Sequence, residues 1–300
     1  MSRSERLVFF GTDGFSTAIF QRLIAADWPV VGVVTQPDRP SGRGQKKVAP
    51  PLKVIAGKYK TKVFQPEKVG KIIYELAALE PSHGILAAYG QIVPQSLIDI
   101  FPGGIINVHP SLLPKYRGAS PIEAAILAGD HTSGISLMAL NAYMDEGPVY
   151  SQRGVVLTGE ETQGSLYERM AEIGGAFLVE KLPAIADGSL QPKPQDNSKA
   201  TYTKLLKKDD GVIDWTKPAE IYERQVRAYC VWPKSRAKIA GYEVIVTKAR
   251  LARDENNGQL VMTCRQAGRN AEPTYLEIIE LIGPSGKHMS GRDFLHGYKK

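Results

Sequence analysis

Three hundred residues, 43% hydrophobic and 23% charged, are enough chain to bury a real core in one large or two ordinary domains. No uninterrupted apolar run approaches the roughly 18 residues of a membrane span, and the apolar run at residues 7–10 is too short for a signal-peptide core; a cytoplasmic protein with no membrane partner is expected. The net charge of +7 is uneven, because residues 201–300 hold 18 Lys and Arg against 12 Asp and Glu, and so carry nearly all the excess.

In chain order, "RLVFFGTDGFS" reads as a short buried strand ending in a glycine turn, and "FSTAIFQRLIAA" behind it has helical periodicity. "WPVVGVVTQ" is a second apolar strand, "KIIYELAALEP" a helix, "HGILAAYG" a third strand, "QSLIDIF" a short helix and "GIINVH" a fourth strand. Strands that alternate with helices and are apolar on both faces predict a mostly parallel α/β sheet covered on both sides. Ser120 then predicts an N-cap, with Pro121 at the first helical position, Glu123 completing a capping box and Gly129 closing the helix. "SGISLMALN" makes a fifth strand, "MDEG" a turn, "PVYSQRGVVL" another strand, and "QGSLYERMAEIGGAFLVEKLPAIADG" a long helix.

"SLQPKPQDNSKATYT" is polar, holds two prolines and lacks periodicity, which marks a linker over 189–205 between a domain at 1–188 and a basic domain at 206–300. Beyond the helix "PAEIYERQVRAY", short alternating runs predict an antiparallel β-barrel of about five strands. A basic domain beside a neutral one suits a polyanionic partner, since Lys and Arg neutralise phosphates and release counterions; plain solubility accounts for the charge equally well. Cys230 and Cys264 are too few for a metal site and read as reduced thiols.

In "GIINVHP" Asn107 and His109 share one face of their strand, at a carboxyl end where Pro110 stops the ladder. In open parallel sheets ligands bind outside such ends. An amide N–H can stabilise an oxyanion and an imidazole can move protons near neutral pH, yet both residues also serve as ordinary turn formers. Asp145 in "MDEG" is the nearest carboxylate following a strand of the same sheet; it either orients His109 or simply makes the turn before Gly147. The turn "GTDG" lacks the G-x-G-x-x-G spacing of a dinucleotide site, and no phosphate-loop or metal motif occurs, so no metal is expected. The loop "TQPDRPSGRGQKKVAPPLK" follows the second strand and holds Arg39, Arg43, Lys46, Lys47 and Lys53; it either grips a phosphate-rich substrate or is solvated and disordered.

Together "NVHPSLLPKYRGASPI", "AYGQIVP", "MDEGPV" and "TQPDRPSGRG" resemble the methionyl-tRNA formyltransferase family, and "IDW", "VRAYCVWP" and "GKHMSGRDFLHG" look like its C-terminal domain. The N-x-H-x-S-L-L-P core alone is common to 10-formyltetrahydrofolate-dependent formyltransferases; the basic loop and C-terminal domain narrow the likeness. The resemblance implies a Rossmann-like α/β formyltransferase domain followed by an OB-like β-barrel, and transfer of a formyl group from 10-formyltetrahydrofolate to the α-amine of methionyl-initiator tRNA; a monomer is expected. It places catalysis at Asn107, His109 and Asp145, and folate contacts at Ser111, Leu112, Leu113 and Pro114. It further implies a pterin pocket near Ala88, Tyr89, Gly90 and the 141–147 loop, and a tRNA grip at Arg39, Arg43, Lys46 and Lys47. Two positions depart from the family's commonest pattern: Asp13 stands for a turn proline, and Pro110 for a small residue. An amino-sugar nucleotide or glycinamide ribonucleotide is the rival acceptor, but neither small substrate needs the basic loop.

Overall fold

A computed structural model describes residues 5–41, 44–254, 258–265 and 272–298. From the amino terminus the elements are β1 (Leu7–Gly11), α1 (Gly14–Ala25), β2 (Val30–Val34), β3 (Arg39–Ser41), β4 (Lys46–Val48), α2 (Pro51–Lys58), β5 (Val63–Phe64), α3 (Ile73–Ala77), β6 (His83–Ala87), α4 (Gln95–Ile98), β7 (Ile105–His109), β8 (Arg117–Gly118), α5 (Pro121–Ala128), β9 (Thr132–Ala139), β10 (Val149–Val156) and α6 (Gln163–Ala186). There follow β11 (Tyr202–Thr203), β12 (Val212–Ile213), α7 (Ala219–Ala228), β13 (Ser235–Ile239), β14 (Tyr242–Ala252), β15 (Val261–Cys264), β16 (Thr274–Ile282), β17 (His288–Ser290) and α8 (Gly291–Tyr298). Among the described residues no helix is long and apolar enough to cross a membrane.

The chain divides into two compact units, one formed within Met1–Gly118, Thr132–Val156 and Tyr167–Tyr202, the other within Ala119–His131, Leu157–Leu166 and Thr203–Lys300. In the first unit seven strands lie in the order β10-β9-β7-β6-β1-β2-β5. The pairs β1–β2, β1–β6, β2–β5 and β6–β7 are parallel, and β9 and β10 add an antiparallel margin. This is the mostly parallel sheet that the apolar runs predict. Every residue of β1 and of β7 is buried, as strands covered on both faces must be.

The chain leaves β1 for β2 on one side and returns to β6 on the other, so the order reverses between β1 and β6. Gly11 ends β1 at that point. A Cβ there would lie 2.4 Å from Ser16 Cβ and 2.9 Å from the Ala87 carbonyl oxygen, so only glycine lets α1 and the end of β6 approach so closely. Asp13 caps α1, its carboxylate accepting from the Ser16 N–H at 3.2 Å, so a hydrogen bond fixes this turn.

Residues 189–202 lace onto this same unit. Lys193 and Val149 exchange two backbone hydrogen bonds of 2.9 and 2.8 Å. Thr201 donates from its N–H to the Pro114 carbonyl at 3.2 Å, and its own carbonyl accepts from the Arg117 N–H at 2.9 Å.

In the second unit the strand order is β12-β13-β14-β16-β15, with β17 also on β16, and among the described residues only the β12–β13 pair is parallel. The expected barrel is not closed among the described residues. Closure requires edge strands that continue the ladder, and the path ends at the two-residue β12 and the four-residue β15. Tyr222 and Val226 of α7 and Phe294 of α8 cover its apolar face above Val244, Val246, Leu276 and Ile278.

The helix α5 begins and ends where expected, with Pro121 at its start and Gly129 at φ 69° as its cap. The expected capping box does not form. Ser120 donates its hydroxyl to the Lys204 carbonyl at 2.9 Å, and Glu123 accepts from Gln163 Nε2, so tertiary partners outcompete the local pair. Burial pushes the Glu123 carboxyl above the usual carboxylate range.

Replacing Gly11 by Ala is expected to lower unfolding free energy by about 1–3 kcal/mol, as overpacked sites do. Denaturant unfolding checks this: the midpoint should fall at unchanged slope.

Candidate active site

Strand alternation places Asn107 and His109 on one face of β7, and both are buried. Their strand is clamped between β6, where Leu86 pairs with Asn107, and β9, where Met138 faces Asn107 and Ser136 faces His109. Pro110 follows His109 directly, and beyond it Ser111 donates its N–H back to the His109 carbonyl at 2.9 Å, turning the chain away from the sheet.

Asp145 arrives from the turn between β9 and β10 with φ 53°, a left-handed conformation that Asp tolerates better than most residues. The turn closes at Gly147, where a Cβ would sit 1.8 Å from the Ala139 carbonyl oxygen. Three groups meet the Asp145 carboxylate, whose side chain is only 14% exposed. Asn107 Nδ2 donates to Oδ1 at 3.2 Å, the Gly118 N–H donates to Oδ2 at 2.8 Å, and His109 Nδ1 stands 3.7 Å from Oδ2, an ion-pair distance rather than a hydrogen bond.

The other imidazole nitrogen, Nε2, lies 3.0 Å from the Tyr116 carbonyl oxygen. A carbonyl only accepts, so Nε2 carries a proton in this arrangement. With Nδ1 protonated as well, each ring nitrogen faces an acceptor: a carbonyl on one side and a carboxylate on the other. The three residues named from the sequence are therefore brought together, and they combine an amide donor, an imidazole that can exchange a proton, and an anion that orients both.

Ser111 to Pro114 form a second, fixed layer beside them. Ser111 donates its hydroxyl to the Lys115 carbonyl at 2.6 Å. The buried Ser136 hydroxyl donates to the Ser111 carbonyl at 2.6 Å and accepts from the Leu113 N–H at 3.0 Å, while Gln152 Nε2 donates to the Leu113 carbonyl and to Ser136 Oγ, each at 2.8 Å. Leu112 packs above Gly134, where a Cβ would meet its Cδ2 at 2.5 Å.

Ala88, Tyr89 and Gly90 follow β6 at the reversal point of the sheet. Ala88 and Gly90 are exposed with φ of 47° and 81°, whereas the Tyr89 ring turns into the core against Phe10, 5.7 Å between centroids. Burial raises the Tyr89 phenol well above its usual range. The Tyr89 carbonyl accepts from Thr12 Oγ1 at 2.9 Å and Gln36 Nε2 at 3.1 Å.

The basic loop is a hairpin, with β3 antiparallel to β4 and Pro40 opposite Lys47. Arg39, Lys46 and Lys47 are exposed on it; Arg43 lies outside the described residues. The Lys53 ammonium pairs with Asp38 at 2.8 Å, and Asp38 also accepts from Gln65 at 2.7 Å. Those partners hold the Asp38 carboxyl below its ordinary range.

Two residues that the sequence left without a role also reach the site. Arg117 is fully buried, and Gln195 donates from Nε2 to the Asp145 and Gly147 carbonyls at 2.8 and 2.7 Å. A charged residue and an amide within polar stretches carry no periodic signal, so only the fold reveals their meeting.

Comparison with known proteins gives this geometry its context. The formyl transferase family model matches residues 5–182, and the model of the formyl transferase C-terminal domain matches 205–299. The methionyl-tRNA formyltransferase of Roseiflexus sp. (strain RS-1) is 46% identical over 252 residues, spanning 83% of this chain and 78% of that one. That of Chloroflexus aurantiacus (strain J-10-fl) is 40% identical over 303 residues, spanning 97% and 96%. Among solved structures, the N-formyltransferase from Helicobacter canadensis in complex with folinic acid and dTDP-3-aminofucose has a TM-score of 0.67 at 17% identity, covering 91% of this chain and 98% of that one, a likeness of fold alone. By sequence over nearly its whole length the chain belongs to the methionyl-tRNA formyltransferase family, and it is an enzyme of formyl transfer.

Proposed function

We propose that the formyl donor is 10-formyltetrahydrofolate and that Asn107, His109 and Asp145 carry its formyl group to the α-amine of methionyl-initiator tRNA. The observation that carries this reading is the convergence of an amide, an imidazole and a buried carboxylate at the carboxyl end of β7. The donor assignment draws further support from the folate ligand of the Helicobacter canadensis structure, which has the same fold.

The unprotonated amine attacks the formyl carbon, and its lone pair forms the new C–N bond while the carbonyl oxygen takes up the negative charge. Asn107 donates one Nδ2 hydrogen bond to Asp145 and directs its other N–H at that oxyanion, and the positive charge of protonated His109 stabilises it. Protonated His109 gives a proton to N10 of the folate and then takes up the proton that the attacking nitrogen loses, while Asp145 orients the ring. The tetrahedral carbon collapses, the C–N10 bond breaks, and formylmethionyl-tRNA and tetrahydrofolate leave. Holding both substrates at one fixed edge converts a bimolecular encounter into an effectively unimolecular step.

The Ser111–Pro114 turn, rigid through Ser136 and Gln152, and the exposed residues Ala88 and Gly90 supply fixed polar groups for the folate. Arg39, Lys46 and Lys47 supply positive charge for tRNA phosphates, with Arg43 between them in sequence.

Incubation with 10-formyltetrahydrofolate and methionyl-initiator tRNA should yield acid-precipitable formylmethionine, with no product from an amino-sugar nucleotide. Formylation of the sugar alone would overturn the acceptor assignment. Replacing His109 or Asn107 by Ala should each reduce turnover by about 10²–10³-fold, and single-turnover kinetics measure the step directly. A near-native rate in either variant removes that residue from the chemistry. Lys46→Ala or Lys47→Ala should weaken tRNA binding and reduce the salt slope of log K by about 1 each, leaving folate binding intact. Titration across a series of salt concentrations checks this.

A further inference from the structure

Arg117 has a buried guanidinium, a costly group unless each donor is met. All five of its N–H groups have acceptors within reach. Nε and Nη2 donate to Gln195 Oε1 at 3.1 and 2.9 Å, Nη2 also to Asn197 Oδ1 at 2.6 Å, and Nη1 to the Tyr202 hydroxyl at 3.1 Å, with Glu146 Oε1 3.4 Å away. Gln195, Asn197 and Tyr202 all come from the polar segment that laces onto the first unit.

Guanidinium only donates and carbonyls only accept, so the orientation of the Gln195 amide is determined chemically. Its oxygen must face Arg117 and its Nε2 must face the Asp145 and Gly147 carbonyls. Those carbonyls belong to the turn that carries the Asp145 carboxylate in a left-handed conformation. The chain neighbours of Arg117 reach the same centre from the other side: the Tyr116 carbonyl accepts from His109 Nε2, and the Gly118 N–H donates to Asp145 Oδ2.

We propose that Gln195 is a positioning residue for formyl transfer: oriented by buried Arg117, its amide holds the Asp145–Gly147 turn at the spacing from Asn107 and His109 that the reaction requires. The proposal rests on the assignment of catalysis to Asn107, His109 and Asp145. Gln195 touches no reacting atom. It acts through the turn, and because it is half-buried, it can be changed without opening the core.

The deciding variant is Gln195→Glu. A carboxylate still accepts from Arg117, and does so with full charge, but it cannot donate to the Asp145 and Gly147 carbonyls and presents them with lone pairs instead. A role confined to satisfying Arg117 leaves Gln195→Glu as active as the parent enzyme. A positioning role makes Gln195→Glu as slow as Gln195→Ala: kcat should fall about 10–100-fold while KM for formyl donor and for methionyl-tRNA stays within about threefold. The melting temperature of Gln195→Glu should stay within about 3 °C of the parent. Wild-type turnover in Gln195→Glu overturns the proposal. So does a loss that appears in KM alone, or one that tracks a matching fall in melting temperature. Asp145→Asn is measured in parallel: if that variant is also fast, the catalytic assignment itself fails, whereas a slow Asp145→Asn beside a fast Gln195→Glu rejects only the role of Gln195.

Discussion

Placing a carboxylate at the edge of a buried sheet is unfavourable unless donors meet it, and the architecture of the first unit is organised around meeting Asp145. Asn107 comes from strand β7, Gly118 from the chain just beyond the Ser111–Pro114 turn, and His109 from the end of β7. The glycine at 147, pressed onto Ala139, lets the turn come down far enough for the carboxylate to reach them. Remove any one of these approaches and the anion is left short of a partner in a place that water reaches poorly. Two of the three groups that make Asp145 tolerable, Asn107 and His109, are those proposed to do the chemistry, so stability and reactivity draw on the same contacts.

Much of the sheet was legible in the sequence because its signal is local. Apolar runs at 7–11, 30–34, 83–87 and 105–109 are strands buried on both faces, and period-two alternation alone puts Asn107 and His109 side by side. The meeting of Asp145 with His109 was not legible, since it depends on the antiparallel register that sets Ser136 opposite His109 and on the path of the turn beyond. Glu123 shows the same limit at smaller scale: its spacing from Ser120 fits a capping box, but Gln163, forty residues away in the chain, takes the carboxylate. Barrel closure was also beyond reach, because alternation identifies antiparallel strands without showing whether their edges are long enough to join.

Residues 189–202 illustrate why composition and role can diverge. Polar residues, two prolines and no period are what a linker looks like, and they are equally what a strap looks like when it is held by side chain–carbonyl and guanidinium–amide bonds rather than by apolar packing. A strap of this kind leaves no hydrophobic trace. Its only trace in the sequence is a set of long polar side chains whose partners lie some 50 to 85 residues away in the chain.

The tie between Lys53, Asp38 and Gln65 has a consequence for association. It pins the root of the β3–β4 hairpin, so a polyanion that approaches Arg39, Lys46 and Lys47 meets cations whose backbone spacing was settled when the chain folded. A disordered basic tail must surrender its conformational freedom at the moment of capture, and its affinity is lower for each phosphate engaged. Here that ordering cost is charged to folding, and the encounter retains more of its electrostatic attraction. The arrangement also makes Lys53 electrically silent towards the partner, since its charge is answered within the protein. A count of basic residues in this loop therefore overstates the field that a nucleic acid would feel.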